Sequence, residues 1–105
     1  MNQRDYDILK QFAGNVRKKF PDARIWAFGS RARGLSSEYS DLDVCIVLNN
    51  LDEAIDKIII NIAWEIGFNN DIVISTVSYS NYDFDNGPLT YSTFIKSILK
   101  NGIAA

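Results

Sequence analysis

The 105-residue chain contains no histidine, and that absence removes a large share of enzyme chemistry. Ser-His-Asp and Cys-His catalysis need an imidazole, and so do zinc sites of the usual kind. Any metal must be held by oxygen ligands, which points to magnesium or manganese. Cysteine is nearly absent too. Cys45 stands alone, so no internal disulfide forms, which fits a reducing cytoplasm. No apolar run reaches transmembrane length, and the start MNQRDYDILK lacks the apolar centre of a signal peptide. Neither sign of charge dominates, with 11 basic and 13 acidic residues: a net charge of −2 gives no overall pull toward nucleic acid or an anionic membrane.

What is present suits one α/β domain over residues 1–105, with 47% apolar residues to build a single core. Tyr6, Leu9, Phe12, Ala13, Val16 and Phe20 recur at helical spacing, and Pro21 ends that helix. RIWAF, Arg24 to Phe28, reads as a short strand stopped by Gly29. Leu42 to Leu48 reads as a second strand: Asp41, Asp43, Cys45 and Val47 face one way, and Leu42, Val44, Ile46 and Leu48 the other. Asn50 with Glu53 has the form of a capping box. The helix it opens carries Leu51, Ala54, Ile55, Ile58, Ile59, Ile62 and Ile66, with Gly67 as its C′ residue. Asp71 to Val77 is β-branched enough for a third strand. A Tyr/Asn/Asp/Gly loop is expected over 78–88, and a last helix from about Tyr91 to Lys100. Trp26 and Trp64 are expected in the core. Tyr79, Tyr82, Phe84 and Tyr91 either fold back on it or form a partner surface.

The chemistry concentrates in FGSRARGLSSEYSDLDVCIVL, Phe28 to Leu48. Gly29 lets a bound group approach the backbone, and Ser30 adds a hydroxyl. Arg31 and Arg33 are either phosphate ligands or a solvated helix face. Asp41 and Asp43, two apart on a strand, present like charges on one face, and a divalent cation relieves their repulsion. Asp71, at the head of the next strand, is expected to bring a third carboxylate there; its rival reading is a turn acid. A phosphate cradle facing an acidic cluster is the layout for metal-assisted phosphoryl or nucleotidyl transfer.

Gly29-Ser30, ten intervening residues, then Asp41-Leu42-Asp43 resembles the G-S-x10-D-x-D signature of the minimal nucleotidyltransferases of the DNA polymerase β superfamily. GSRARG and SDLDVCIV are close to that family's wording, and TFIKSILKNGI, Thr93 to Ile103, resembles its C-terminal helix. The resemblance implies a short mixed sheet flanked by helices. It also implies ATP as donor, with Gly29, Ser30, Arg31 and Arg33 at the nucleotide and Ser30 on the β/γ-phosphates. Asp41, Asp43 and Asp71 would bind two Mg²⁺ ions, Asp71 helping to deprotonate the acceptor hydroxyl. The chain departs from the family pattern at Asn69-Asn70, where an apolar residue usually precedes the third acid, and this shifts Asp71 toward the strand's edge.

Three strands and three or four helices leave no segment for an acceptor-binding domain, so the acceptor is expected on another subunit or to be a partner protein. In the resembled family that partner is commonly a HEPN-domain toxin. The nucleotidyltransferase then serves as cytoplasmic antitoxin by moving AMP onto a tyrosine of the toxin. Two other functions stay open: an enzyme acting on a small-molecule hydroxyl, as with antibiotics, and a non-catalytic antitoxin that works by contact alone.

Overall fold

The first apolar stripe folds as helix α1, Gln3–Lys19, and its start is fixed by Asn2, whose side chain accepts from the Asp5 N–H at 2.7 Å. The helix ends at Lys19, with Phe20 as its C-cap directly before Pro21, which cannot continue it. The computed structural model describes residues 1–35, 39–87 and 89–105, with the backbone alone for 89–92. Strand β1, Arg24–Phe28, leads directly into the one-turn helix α2, Gly29–Ala32, and strand β2, Leu42–Leu48, returns antiparallel to β1. Helix α3, Glu53–Asn69, carries the chain across the sheet to strand β3, Ile74–Ser80, which lies parallel to β2. Helices α4, Asn81–Asn86, and α5, Leu89–Asn101, follow, and strand β4, Ile103–Ala104, pairs antiparallel with the other side of β1. The sheet order is β3-β2-β1-β4. The fold is α+β, a small mixed sheet between helices, as expected.

The period-two pattern of β2 assigns the two faces. Leu42, Val44, Ile46 and Leu48 join Ile25 and Ala27 under α1 and α3, against Leu9, Phe12, Ile59 and Ile66. Cys45 and Val47 face the other way, into a smaller core with Phe84, Ile95 and Ile98 from α4 and α5. Trp26 stacks on Phe84 with ring centroids 5.4 Å apart, and Phe28 meets Phe94 edge-on at 5.2 Å. Arg24 covers the Phe84 ring at 5.1 Å and hydrogen-bonds Asn81 and Asp85, which clamps α4 to the sheet.

Several boundaries differ from the sequence reading, each for a local reason. The N-cap of α3 is Asp52, accepting from the Ile55 N–H at 2.8 Å, so Asn50 and Glu53 form no capping box. Gly67 lies inside the helix: a Cβ there would come 2.5 Å from the Ile72 carbonyl, so the glycine serves the close return of the chain. That return delays β3 to Ile74, three residues past Asp71. Part of the expected 78–88 loop is the end of β3 and the helix α4, capped by the Ser80 hydroxyl on the Asp83 N–H. Trp64 is not in the core but 72% exposed. Phe84 is buried and Tyr82 exposed; the Tyr91 side chain lies outside the described residues, as do Ser36, Ser37, Glu38 and Pro88.

Candidate active site

Phe28 is in register with Asp43, so the end of β1 and the head of β2 place Gly29 beside the second carboxylate. Gly29 has φ +76°, a left-handed conformation that glycine adopts without cost. A Cβ added there would lie 2.7 Å from Asp43 Oδ2. Two separate constraints, backbone and contact, therefore demand glycine at this position. The turn that follows is closed by backbone bonds from the Arg33 N–H to the Gly29 carbonyl and from the Leu35 N–H to the Ser30 carbonyl.

Asp41 is exposed and Asp43 half-buried. Burial raises the Asp43 carboxyl above the ordinary carboxylate value, and the charge of Asp41 raises it further. Asp43 is thus held where its ionised form is disfavoured and a cation would restore it. Two carboxylate ligands suffice for Mg²⁺ when substrate phosphates and water complete its shell, so the oxygen donors present fit that ion. Cys45, next on the same face, is fully buried, and burial pushes its thiol up to about 12; it is inert core.

The two arginines have different surroundings. Arg33 is exposed and lines a pocket of about 200 Å³ together with Gly29, Phe28, Phe94 and Asn101. Arg31 is turned inward. Its Nη1 donates to both carboxylate oxygens of Asp5, at 3.0 and 3.1 Å, and its Nε to the Ser40 carbonyl at 2.6 Å. Asp5 is 1% and Arg31 4% exposed, so this guanidinium does not face the site. The expected phosphate ligand instead ties α1 to the residue immediately before Asp41. Local patterning gave one sign of this: Asp5 sits on the α1 stripe, four residues before Leu9.

Asp71 is not on the sheet face with Asp43, because the β3 position in register with Asp43 is Ser75. It occupies an exposed turn with φ 57°, a conformation Asp tolerates better than most residues. Among the described residues no three Asp, Glu, Cys or His side chains converge on one metal position. Asp71 does share a cleft of about 580 Å³ with Asp41, whose walls include Tyr39, Trp64, Phe68 and Val73. The sequence reading missed this cleft. The available signal was Ile60, Trp64 and Phe68, a second apolar line at helical spacing off the core stripe of α3.

The fold is that of nucleotidyltransferases. A crystal structure of a putative nucleotidyltransferase from Sulfolobus solfataricus superimposes with TM-score 0.52 at 18% identity, covering 97% of this chain and 82% of that one. The chain itself belongs to the nucleotidyltransferase domain family, whose model matches residues 9–104. A crystal structure of a toxin-antitoxin with AMP-PNP superimposes with TM-score 0.61 at 16% identity over 89% of this chain and 68% of that one. In sequence, a probable protein adenylyltransferase MntA of Haemophilus influenzae is 56% identical over 32 residues, 30% of this chain and 28% of that relative's length.

Proposed function

We propose that this protein is a cytoplasmic antitoxin that transfers AMP from ATP, with Mg²⁺, onto a tyrosine hydroxyl of a HEPN-type toxin. The observation that carries the reading is the Gly29-Ser30 turn packed against Asp43, with Asp41 two residues before it. The family, the adenylyltransferase relative and the likeness to a toxin-antitoxin fold support it. Ser30 and Arg33 hold the β/γ-phosphates beside Gly29. Asp41 and Asp43 hold the magnesium, which neutralises phosphate charge when bound. In the transfer, the acceptor oxygen bonds to the α-phosphorus as the bond to pyrophosphate breaks. The hydroxyl's proton passes to Asp71, on the cleft shared with Asp41.

Co-expression with the neighbouring gene product, followed by intact-mass measurement of both chains, tests this. One or more adenylates on the partner, absent with Asp41→Asn, is the expected result. A tight complex without any adduct refutes the catalytic reading, and the absence of a complex refutes the antitoxin.

A further inference from the structure

Strand β3 is an edge of the sheet, and among the described residues no strand pairs with its outer side. The Leu42 N–H donates to the Val73 carbonyl at 2.9 Å, which fixes the alternation of the backbone. Val73, Ser75, Val77 and Tyr79 bond toward β2, so the amides and carbonyls of Ile74, Thr76 and Ser78 point away from the sheet. Natural sheets blunt such an edge with lysine, proline, a bulge or an inward charge. ISTVSYS, Ile74 to Ser80, has no proline and no charged residue, and its register with β2 is unbroken.

An apolar row stands beside this edge. Ile60, Trp64 and Phe68 follow one another at four-residue spacing on α3, 41%, 72% and 78% exposed, and Val73 is 62% exposed. Trp64, Phe68, Val73 and Ile74 line one cleft, so the row borders β3. Because β2 and β3 are parallel, α3 runs back against them, and Gly67 meets the Ile72 carbonyl. From Gly67 back to Ile60 is about 10 Å of helix, the length of about three strand residues. Ile60 therefore lies level with Ser75 and Thr76, and Trp64 one helical turn nearer the head of the strand.

We propose that this edge seats a second copy of the chain, its β3 lying antiparallel about a two-fold axis through Thr76. The outward-facing backbone then forms hydrogen-bonded pairs: Thr76 with its own counterpart, and Ile74 with Ser78 in both directions. Threonine opposite threonine is a favourable cross-strand pair, and the same axis sets Asp71 opposite Asn81, so no like charges meet. Opposite residues of an antiparallel pair share a face, so both α3 helices stand on one side of the joined sheet and both Asp43 carboxylates on the other. The two Ile60 side chains meet at the level of the axis, with a Trp64 one turn to either side. The Trp64 and Phe68 rings of both copies, at roughly 150–250 Å² each, together with two strand edges, reach the ~1,000 Å² that a specific interface needs. The far edge of the sheet is β4, only two residues long, so the assembly closes at two copies.

Sedimentation across a concentration series, with circular dichroism to check the fold, tests this. Wild type should reach twice 11.9 kDa. Trp64→Glu puts a charge into the apolar row at an exposed helix position and should weaken the dimer at least ~10-fold. Thr76→Pro removes an amide that the β2 ladder does not use, and should weaken the dimer as much with native dichroism. Thr76→Cys should cross-link to its own counterpart under mild oxidation, because hydrogen-bonded antiparallel pairs hold their Cα atoms about 5.5 Å apart, inside the disulfide range. Ser97→Cys, exposed on α5, should not, and the native Cys45 is buried and does not compete. A wild-type chain that stays monomeric at every concentration overturns the proposal. So does a dimer left intact by both Trp64→Glu and Thr76→Pro, or one in which Thr76→Cys cross-links no better than Ser97→Cys. A monomer whose Trp64→Glu variant loses the neighbouring gene product gives this surface to that partner and also overturns the second copy. The pairing needs no nucleotide, so its failure leaves the nucleotidyltransferase reading standing.

Discussion

Replacing Arg31 with alanine should unfold much of this protein's stability margin without touching a residue assigned to substrate. The substitution strands the Asp5 carboxylate, 1% exposed, and removes the donor that holds the Ser40 carbonyl at 2.6 Å. Removing one member of a buried ion pair costs about 3–5 kcal/mol. Arg4 lies 3.9 Å from Asp5 and is itself 57% exposed, so it can swing partway in and hold the loss toward the lower figure. A drop of ~3 kcal/mol is a large fraction of the roughly 5–15 kcal/mol of a domain this size, and corresponds to about 12–24 °C in Tm. Urea unfolding followed by circular dichroism measures it. The pair Arg31→Met with Asp5→Leu should recover stability to within about 1 kcal/mol of wild type, because apolar replacements avoid the stranded charge. Nucleotide binding should stay weakened in that pair, since the Arg31 Nε bond to the Ser40 carbonyl ahead of Asp41 is lost. A loss below ~1 kcal/mol for Arg31→Ala would refute the claim that Arg31 ties α1 to Ser40 through a buried ion pair.

Asp41→Asn and Asp43→Asn should each abolish labelled-nucleotide transfer at saturating Mg²⁺; near-normal incorporation by either would end their assignment as metal ligands. Asp43→Asn carries a second expectation: the raised Asp43 carboxyl binds its proton more tightly folded than unfolded, so metal-free stability falls as pH rises from the ordinary value of 3.8 through the folded value. Melting curves without metal should place the variant at or above wild type at neutral pH, with the advantage gone at pH below 3.8. Ser30→Ala and Arg33→Ala should each weaken a non-hydrolysable ATP analogue by about 1.5–3 kcal/mol in calorimetry, the range for hydrogen bonds to charged groups. Asp71→Asn keeps the left-handed turn comfortable and removes only the charge, so it should slow transfer by about 100-fold at unchanged Tm; an unchanged rate leaves Asp71 a turn residue. Phe84→Ala should cost about 3–5 kcal/mol of stability through the Trp26 stack, whatever its effect on partner binding.

The parts of this molecule that obey a local period were legible from residues alone. The alternation of β2 assigned Leu42, Val44, Ile46 and Leu48 to one core and Cys45 and Val47 to the other, and the structure agrees. Asp41 and Asp43 stood out because carboxylates are costly in an apolar strand, and Gly29 and Ser30 because a glycine and a hydroxyl stand at the end of a strand, ten residues before Asp41. Long-range pairing was not legible: Asp5 and Arg31 each have a plausible solvated role until α1 is laid across the sheet. The start of β3 was misjudged because DIVISTV is β-prone throughout, and the boundary is set by Gly67 meeting the Ile72 carbonyl. Helix α4 was missed because its holding forces, Arg24 and Trp26, lie on another strand. Trp64 was misplaced because α3 is apolar on more than one line, and only the position of the sheet tells which line is covered.

The pairing of β4 with β1 has a consequence in time. Ala27 is in register with Ile103, so one flank of a central strand waits for almost the whole chain to be made. At ~5–20 residues per second, that wait lasts about 4–15 s on the ribosome. Throughout it, the backbone amides and carbonyls on that flank of Trp26 and Ala27 have no strand to bond, and an open edge of this kind recruits other strands. Nascent chains that stall before Ile103 should therefore be the aggregating species, and the cell's exposure to them is set by translation speed and not by the stability of the finished fold.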